Sequence, residues 1–209
     1  MPKELLERFR HFRNTDLARY AKLYQRLATD GQHPQVLLIA CGDSRIVPTL
    51  LTGSQPGDLF IVRTIGNIVA PVDAAPPDAT VAAVEFVLAN LEIRDIVVCG
   101  HSRCGAMRAL YDGVPEELPH LRGWIEQART AALDKAALEG VDVDERDRLT
   151  SHRNVLLSLE RLAAHPLVAE RRAAGELILH GWYYDIASTN LEVFDPATRE
   201  FREPAAQLR

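Results

Sequence analysis

The chain has 209 residues, 47% of them hydrophobic and 25% charged, which suits one globular domain with a full core and excludes a disordered or fibrous polypeptide. A net charge of −5 argues against binding to nucleic-acid phosphates, and no apolar run approaches the ~20 residues that span a bilayer. The opening MPKELLERFRHFRN lacks a secretory apolar region, and an odd count of 3 cysteines does not make a disulfide framework, so the expectation is a soluble, cytoplasmic protein.

Residues Lys3 to Leu27 read as an amphipathic helix interrupted near Asn14-Thr15-Asp16, with Thr15 or Asp16 capping the second piece. Leu17, Tyr20, Leu23, Tyr24 and Leu27 share one face, and Phe9 and Phe12 extend the stripe. After the Asp30-Gly31 turn, Gln32 and Pro34 precede a strand over Gln35 to Ala40; a glutamine in such a turn is ordinarily a solvated loop residue. Cys41 stands where that strand stops, with Asp43 and Arg45 following at alternate positions. Pro48 starts a short helix, Gly53 to Asp58 is turn chemistry, and Asp58 to Thr64 is a second strand running into a loop at Gly66. Pro71 to Pro77 reads as a loop. Thr80 to Leu91 reads as a helix whose Val81, Val84, Phe86, Val87, Leu88 and Leu91 cover the sheet, with Phe60 and Phe86 as core side chains.

Ile96 to Cys99 is a buried strand that ends in a glycine turn, placing His101 and Cys104 at the mouth of a helix that runs through Tyr111 to Asp112-Gly113. Cys99 reads as a small buried hydrophobe. Leu118 to His165 is helical with polar faces, and the run DVDERDRL at Asp142 to Leu149 reads as a solvated helix start. Glu176 to Tyr184 is another strand, with Leu191 to Phe194 a further edge strand. Strands alternating with helices predict a single α/β domain: a mostly parallel central sheet flanked by helices, with an arm over 1–30, a core over 35–195 and a tail over 196–209.

Histidine and cysteine two residues apart can both bind one metal ion. Ligands of parallel sheets collect at the carboxyl ends of strands, where Cys41 also lies. Together Cys41, His101 and Cys104 make a Cys2His zinc set, the three-ligand pattern that leaves a catalytic position open.

The motif C-x-D-x-R at Cys41 to Arg45, joined to H-x-x-C-G at His101 to Gly105, closely resembles the beta class of carbonic anhydrases. So do PGDLFIVRTIGNIVAP at Pro56 to Pro71, VEFVLANLEIRDIVVCGHSRCGAM at Val84 to Met107 and HGWYYDI at His180 to Ile186. The resemblance implies one Zn2+ per chain on Cys41, His101 and Cys104, and reversible hydration of CO2 to bicarbonate and a proton by zinc-bound hydroxide. It gives Asp43 the role of accepting the nucleophile's hydrogen bond and Arg45 that of holding Asp43; released, Asp43 could close onto zinc as a fourth ligand. Gln32, Phe60, Ile65, Phe86 and Gly105 would bind substrate. The resemblance also implies a homodimer, or a dimer-based tetramer or larger, with the N-terminal arm lying across a partner and the active site near the dimer interface. No nucleic-acid or membrane partner is expected.

Two departures stand out. Thr64 replaces a usual asparagine, and Leu38 replaces the tryptophan of a subgroup's inhibitory bicarbonate site, although Arg63 and Tyr184 match its other two members. With Gln32 present the chain looks like the plant-type subgroup, and no such inhibition is expected. Two thiolates bring the zinc set near formal neutrality, so activity should rise on the alkaline side. The competing readings are a zinc hydrolase of carbon disulfide or carbonyl sulfide, and a non-catalytic structural or redox zinc protein.

Overall fold

The computed structural model describes residues 2–74 and 77–204, so residues 75 and 76 of the expected proline-rich loop and the last five of the expected tail lie outside the described residues. The chain opens with α1 (Lys3–Asn14) and α2 (Leu17–Asp30), broken where the sequence suggested. The capping expectation fails in detail. Asp16 holds the N-cap position but its side chain makes no cap bond, and the Thr15 hydroxyl instead donates back to the His11 carbonyl. Among the described residues neither helix buries a side chain, and Leu5, Phe9 and Tyr24 are exposed. Leu27 alone of the α2 stripe meets a glycine of the body closely: a Cβ built on Gly57 would lie 2.8 Å from its Cδ2.

The body is a six-stranded sheet in the order β2-β1-β3-β4-β5-β6. β1 (Val36–Cys41), β2 (Leu59–Thr64), β3 (Asp95–His101) and β4 (Ile178–Tyr184) run parallel; β5 (Leu191–Asp195) is antiparallel to β4, and β6 (Glu200–Arg202) antiparallel to β5. β1 and β3 are near-continuous apolar runs because both faces are covered. On one face Leu37, Ile39, Ile96 and Val98 pack with Val84 and Val87 of α4 (Ala79–Asn90), together with Val155 and Leu162 of a long helix described below. On the other, Leu38, Ala40, Val97 and Cys99 pack with Ile46, Trp182 and Tyr184, leaving a cavity of about 90 Å³ bordered by Leu38, Cys99 and Trp182. The remaining helices are α3 (Pro48–Thr52), α5 (Gly105–Asp112), α6 (Pro119–Glu126), α7 (Val143–Ala164) and α8 (Pro166–Ala173).

Four further expectations need correction. Phe86 is exposed rather than core; it leans on the half-buried Phe60 ring, 6.0 Å between centroids. The span from Leu118 to His165 is no continuous helical stretch, since two 3-10 turns at Arg129–Ala131 and Ala136–Leu138 separate α6 from α7. The expected tail contains β6, which pairs with β5 through Phe194 and Phe201. The charged run is a helix start, capped by Asp142 accepting from Glu145 N, but not a wholly solvated one. Asp147 is completely buried, its two carboxylate oxygens each taking two bonds, from Arg108 and from Arg146. Asp147, Thr150, Ser151, Asn154 and Ser158 line one face of α7 at three- and four-residue spacing, a buried polar stripe.

Candidate metal centre

β1 and β3 are neighbours, with Ala40 opposite Cys99, so both chains leave the sheet at nearly the same level. Cys41 closes β1 and His101 closes β3; the chain then turns through Arg103 in the left-handed region (φ 55°) and returns Cys104 to the N-cap of α5. The Cys41 and Cys104 sulfurs lie 4.0 Å apart without a disulfide. Both sulfurs and a ring nitrogen of His101 fall within 4.8 Å of one another, the one such group of three His, Cys, Asp or Glu residues among those described.

This set fits a zinc ion. A tetrahedral centre with Zn–S bonds of roughly 2.3 Å separates its two sulfurs by about 3.8 Å, close to the observed spacing. His101 is fully buried, and its Nδ1 lies 2.9 Å from the Ser102 carbonyl. A carbonyl can only accept, so Nδ1 carries the proton and Nε2 keeps its lone pair. Nε2 finds no partner among the described residues, a costly state for a buried nitrogen unless a cation takes it.

The sulfurs are prepared for thiolate chemistry. Backbone N–H groups of Asp43 and Gly66 donate to Cys41 Sγ at 3.4 and 3.3 Å. Hydrogen bonding from Cys104, together with the Asp43 N–H, pulls the Cys41 thiol down to about 4 against its burial. The same interaction, together with burial, pushes Cys104 up. Cys99 packs with Leu38, Ala40, Ile46 and Val97 away from this group, and burial raises its thiol to about 12.

Asp43 is clamped by Arg45. Arg45 donates from N and Nε to Oδ1 at 3.0 and 2.9 Å and from Nη2 to Oδ2 at 2.7 Å, which holds the carboxyl well below the usual carboxylate range. Arg45 is tied in turn to the Arg103 carbonyl at 3.2 Å. Arg63, whose position matched the inhibitory site, donates instead to the backbone oxygens of Cys41 and Asp43 at 3.0 and 2.6 Å, bracing the ligand loop.

The proposed substrate residues divide into two groups. Ile65 lies beside the centre, its Cδ1 3.6 Å from a Cβ built on Gly42, and a Cβ on Gly105 would meet nothing, which leaves open space next to Cys104. Gln32, Phe60 and Phe86 stand elsewhere in this chain. Gln32 precedes β1, which Cys41 ends, and Phe60 lies opposite Leu37, four residues or about 13 Å before the Thr64 that faces Cys41. Phe86 goes with Phe60. The bracing by Arg63, the Gly66 N–H and the His101–Ser102 contact had no short-range signal, since each joins groups by tertiary placement or backbone geometry.

A family model described as carbonic anhydrase matches residues 36–191. The chain is 41% identical over 201 residues to a carbonic anhydrase of Pseudomonas aeruginosa, covering 95% of this chain and 90% of that protein. It is 38% identical to carbonic anhydrase 1 of Escherichia coli O157:H7, covering 99% and 94%. Among solved structures, the beta-carbonic anhydrase CcaA superposes with a TM-score of 0.90 at 35% identity, covering 97% of this chain and 98% of that one. Two tetrameric beta-carbonic anhydrases were solved from Sordaria macrospora, and one aligns with a TM-score of 0.81 at 32% identity, covering 91% and 94%.

Proposed function

The chain belongs to the beta-class carbonic anhydrases, and on that premise we propose that Cys41, His101 and Cys104 hold its zinc while Asp43 and Arg45 orient the reacting water. It is a zinc lyase that reversibly hydrates CO2 to bicarbonate and a proton. The observation that carries the residue assignment is the buried, unpartnered Nε2 of His101 grouped with two thiols.

Bound there, zinc supplies the Lewis acidity that makes water a nucleophile near neutral pH. Asp43, fixed by Arg45, accepts a hydrogen bond from the attacking water and so aims its lone pair at CO2. Both Asp43 oxygens are taken by Arg45, so Asp43 would not serve as a fourth ligand to a bound zinc, which favours catalysis over a structural role. Gly105 leaves room beside Cys104, and Ile65 offers CO2 an apolar wall.

We place Gln32, Phe60 and Phe86 in the substrate pocket of a second copy. Their position at the far end of the strands, and two arm helices, Lys3–Asn14 and Leu17–Asp30, without a buried side chain among the described residues, support a dimer-based homo-oligomer in which neighbouring chains complete each other's sites. Cytoplasmic residence is proposed from the unpaired thiols, which a reducing compartment preserves.

The test is stopped-flow CO2 hydration on protein of measured zinc content. One zinc per chain and turnover that rises toward alkaline pH and vanishes in Cys41→Ala are expected; full zinc without turnover would overturn the assignment. A monomer by analytical ultracentrifugation would overturn the shared pocket.

A further inference from the structure

The backbone from Ile65 to Gly66 is held at three points, two on the peptide unit that joins these residues and one on the unit that follows. Its N–H, from Gly66, points at Cys41 Sγ at 3.3 Å. Its carbonyl oxygen, from Ile65, accepts from the indole Nε1 of Trp124 on α6 at 2.8 Å. The next carbonyl, of Gly66, accepts from Nδ2 of the buried Asn154 on α7 at 2.9 Å. The loop is not in a relaxed conformation: Gly66 (φ 73°) and the buried Asn67 (φ 46°) are both left-handed, which for a non-glycine residue is held against a local cost. Asn154 Oδ1 finds no partner among the described residues, a burden that a side chain kept only for packing would not carry.

Taking Cys41 as a zinc ligand, as read above, we propose that Trp124 and Asn154 are positioning residues for the zinc thiolate: they lock this loop so that the Gly66 N–H stays on the Cys41 sulfur. A donor on a thiolate draws off electron density and fixes the sulfur's direction, and outer-shell partners of this kind tune both affinity and Lewis acidity. Donation from Trp124 into the oxygen of the same amide polarises its N–H, so the indole acts on the sulfur through one peptide group. Neither residue touches the metal set itself.

The experiment uses the whole protein with zinc, and then cobalt(II), as the probe. Trp124→Phe keeps an aromatic ring and removes only the indole donor; Asn154→Leu keeps the size and removes the amide. Each should raise the zinc dissociation constant, measured by chelator competition, roughly tenfold. Each should also move the sulfur-to-cobalt charge-transfer band to longer wavelength, because a sulfur without its donor gives up charge more readily. Trp182→Phe, on the opposite side of the sheet, should change neither. A purely structural role would lower the unfolding midpoint and leave the band in place. Folded variants with unchanged zinc affinity and an unmoved band would overturn the proposal; should Asn154→Leu not fold, the half-buried Trp124→Phe decides alone. Should the unmodified protein bind no zinc, or keep it in Cys41→Ala, the ligand assignment falls and this inference with it. Wild-type zinc that depends on Cys41, beside unaffected variants, sinks only the inference.

Discussion

Replacing Asp147 with asparagine removes a charge that the fold surrounds with two guanidinium groups. Arg146 donates to Oδ1 at 3.1 and 2.8 Å and Arg108 to Oδ2 at 3.1 and 2.9 Å, while the aspartate side chain is only 1% exposed. The two arginines differ in their escape routes. Arg108 is 43% exposed and can rehydrate, but Arg146 is 15% exposed and lies 4.3 Å over the Tyr111 ring, so its charge stays buried without a counter-charge. Breaking a buried pair costs about 3–5 kcal/mol, and with one arginine able to reach water and one acceptor oxygen retained, the lower end applies, about 3 kcal/mol. For a chain of this size that is a fall in Tm of roughly 6–12 °C. The assay is thermal unfolding of zinc-loaded protein at fixed concentration, since assembly also shifts Tm. Added salt should not rescue the loss, because screening acts on exposed charges. Glu126→Gln, at the exposed Glu126–Arg129 pair, should leave Tm where it was. A loss below about 1 kcal/mol for Asp147→Asn would refute the view that this carboxylate anchors α7.

Gly66→Ala should destabilise by about 2–5 kcal/mol, joining left-handed backbone strain to overpacking. The added Cβ would sit 2.7 Å from Ala106 Cβ, displacing the start of α5 that carries Cys104, so zinc content should fall in any folded fraction; a stable, zinc-replete variant would contradict this. Cys99→Ala should retain one zinc per chain and lose only about 1 kcal/mol of stability, and loss of the metal would return Cys99 to the ligand set. Burial holds His152 down at about 4 where it stacks on Phe201 and faces Glu192, itself pushed up by burial. The unfolded chain therefore takes up a proton below about 6.5 that the fold refuses: this contribution is intact above that pH and fades toward about 4, by roughly 2–3 kcal/mol. His152→Phe should flatten that acid limb in urea unfolding, and an unaltered limb would place the protonation elsewhere.

The metal set was legible because strand ends announce themselves: an apolar run that stops at Cys41 and another that stops at His101 put two candidate ligands at the carboxyl end of a parallel sheet. The same reasoning failed on α7. Its buried stripe is polar, and a search for apolar periodicity sees Asp147, Ser151 and Asn154 as a solvated face. Their burial follows from what they meet, namely arginines on two elements, the His101 carbonyl and the Gly66 carbonyl. β6 was missed because three residues carry no period, and Glu200 and Arg202 flank a single half-buried Phe201. Phe86 sits in a strongly apolar helix, so nothing local distinguishes the position that faces outward.

The two helices of the arm, 12 and 14 residues long, are each near the length at which an isolated helix is marginal in water. Neither helix buries a side chain among the described residues, so on the proposed assembly the arm would draw its order from the copy that covers its apolar stripe, and its helicity should report assembly. Serial dilution should unwind these residues first, lowering the far-ultraviolet helical signal while the aromatic signal of the sheet holds. On the proposed assembly the arm would be ordered where copies are plentiful and frayed where they are scarce.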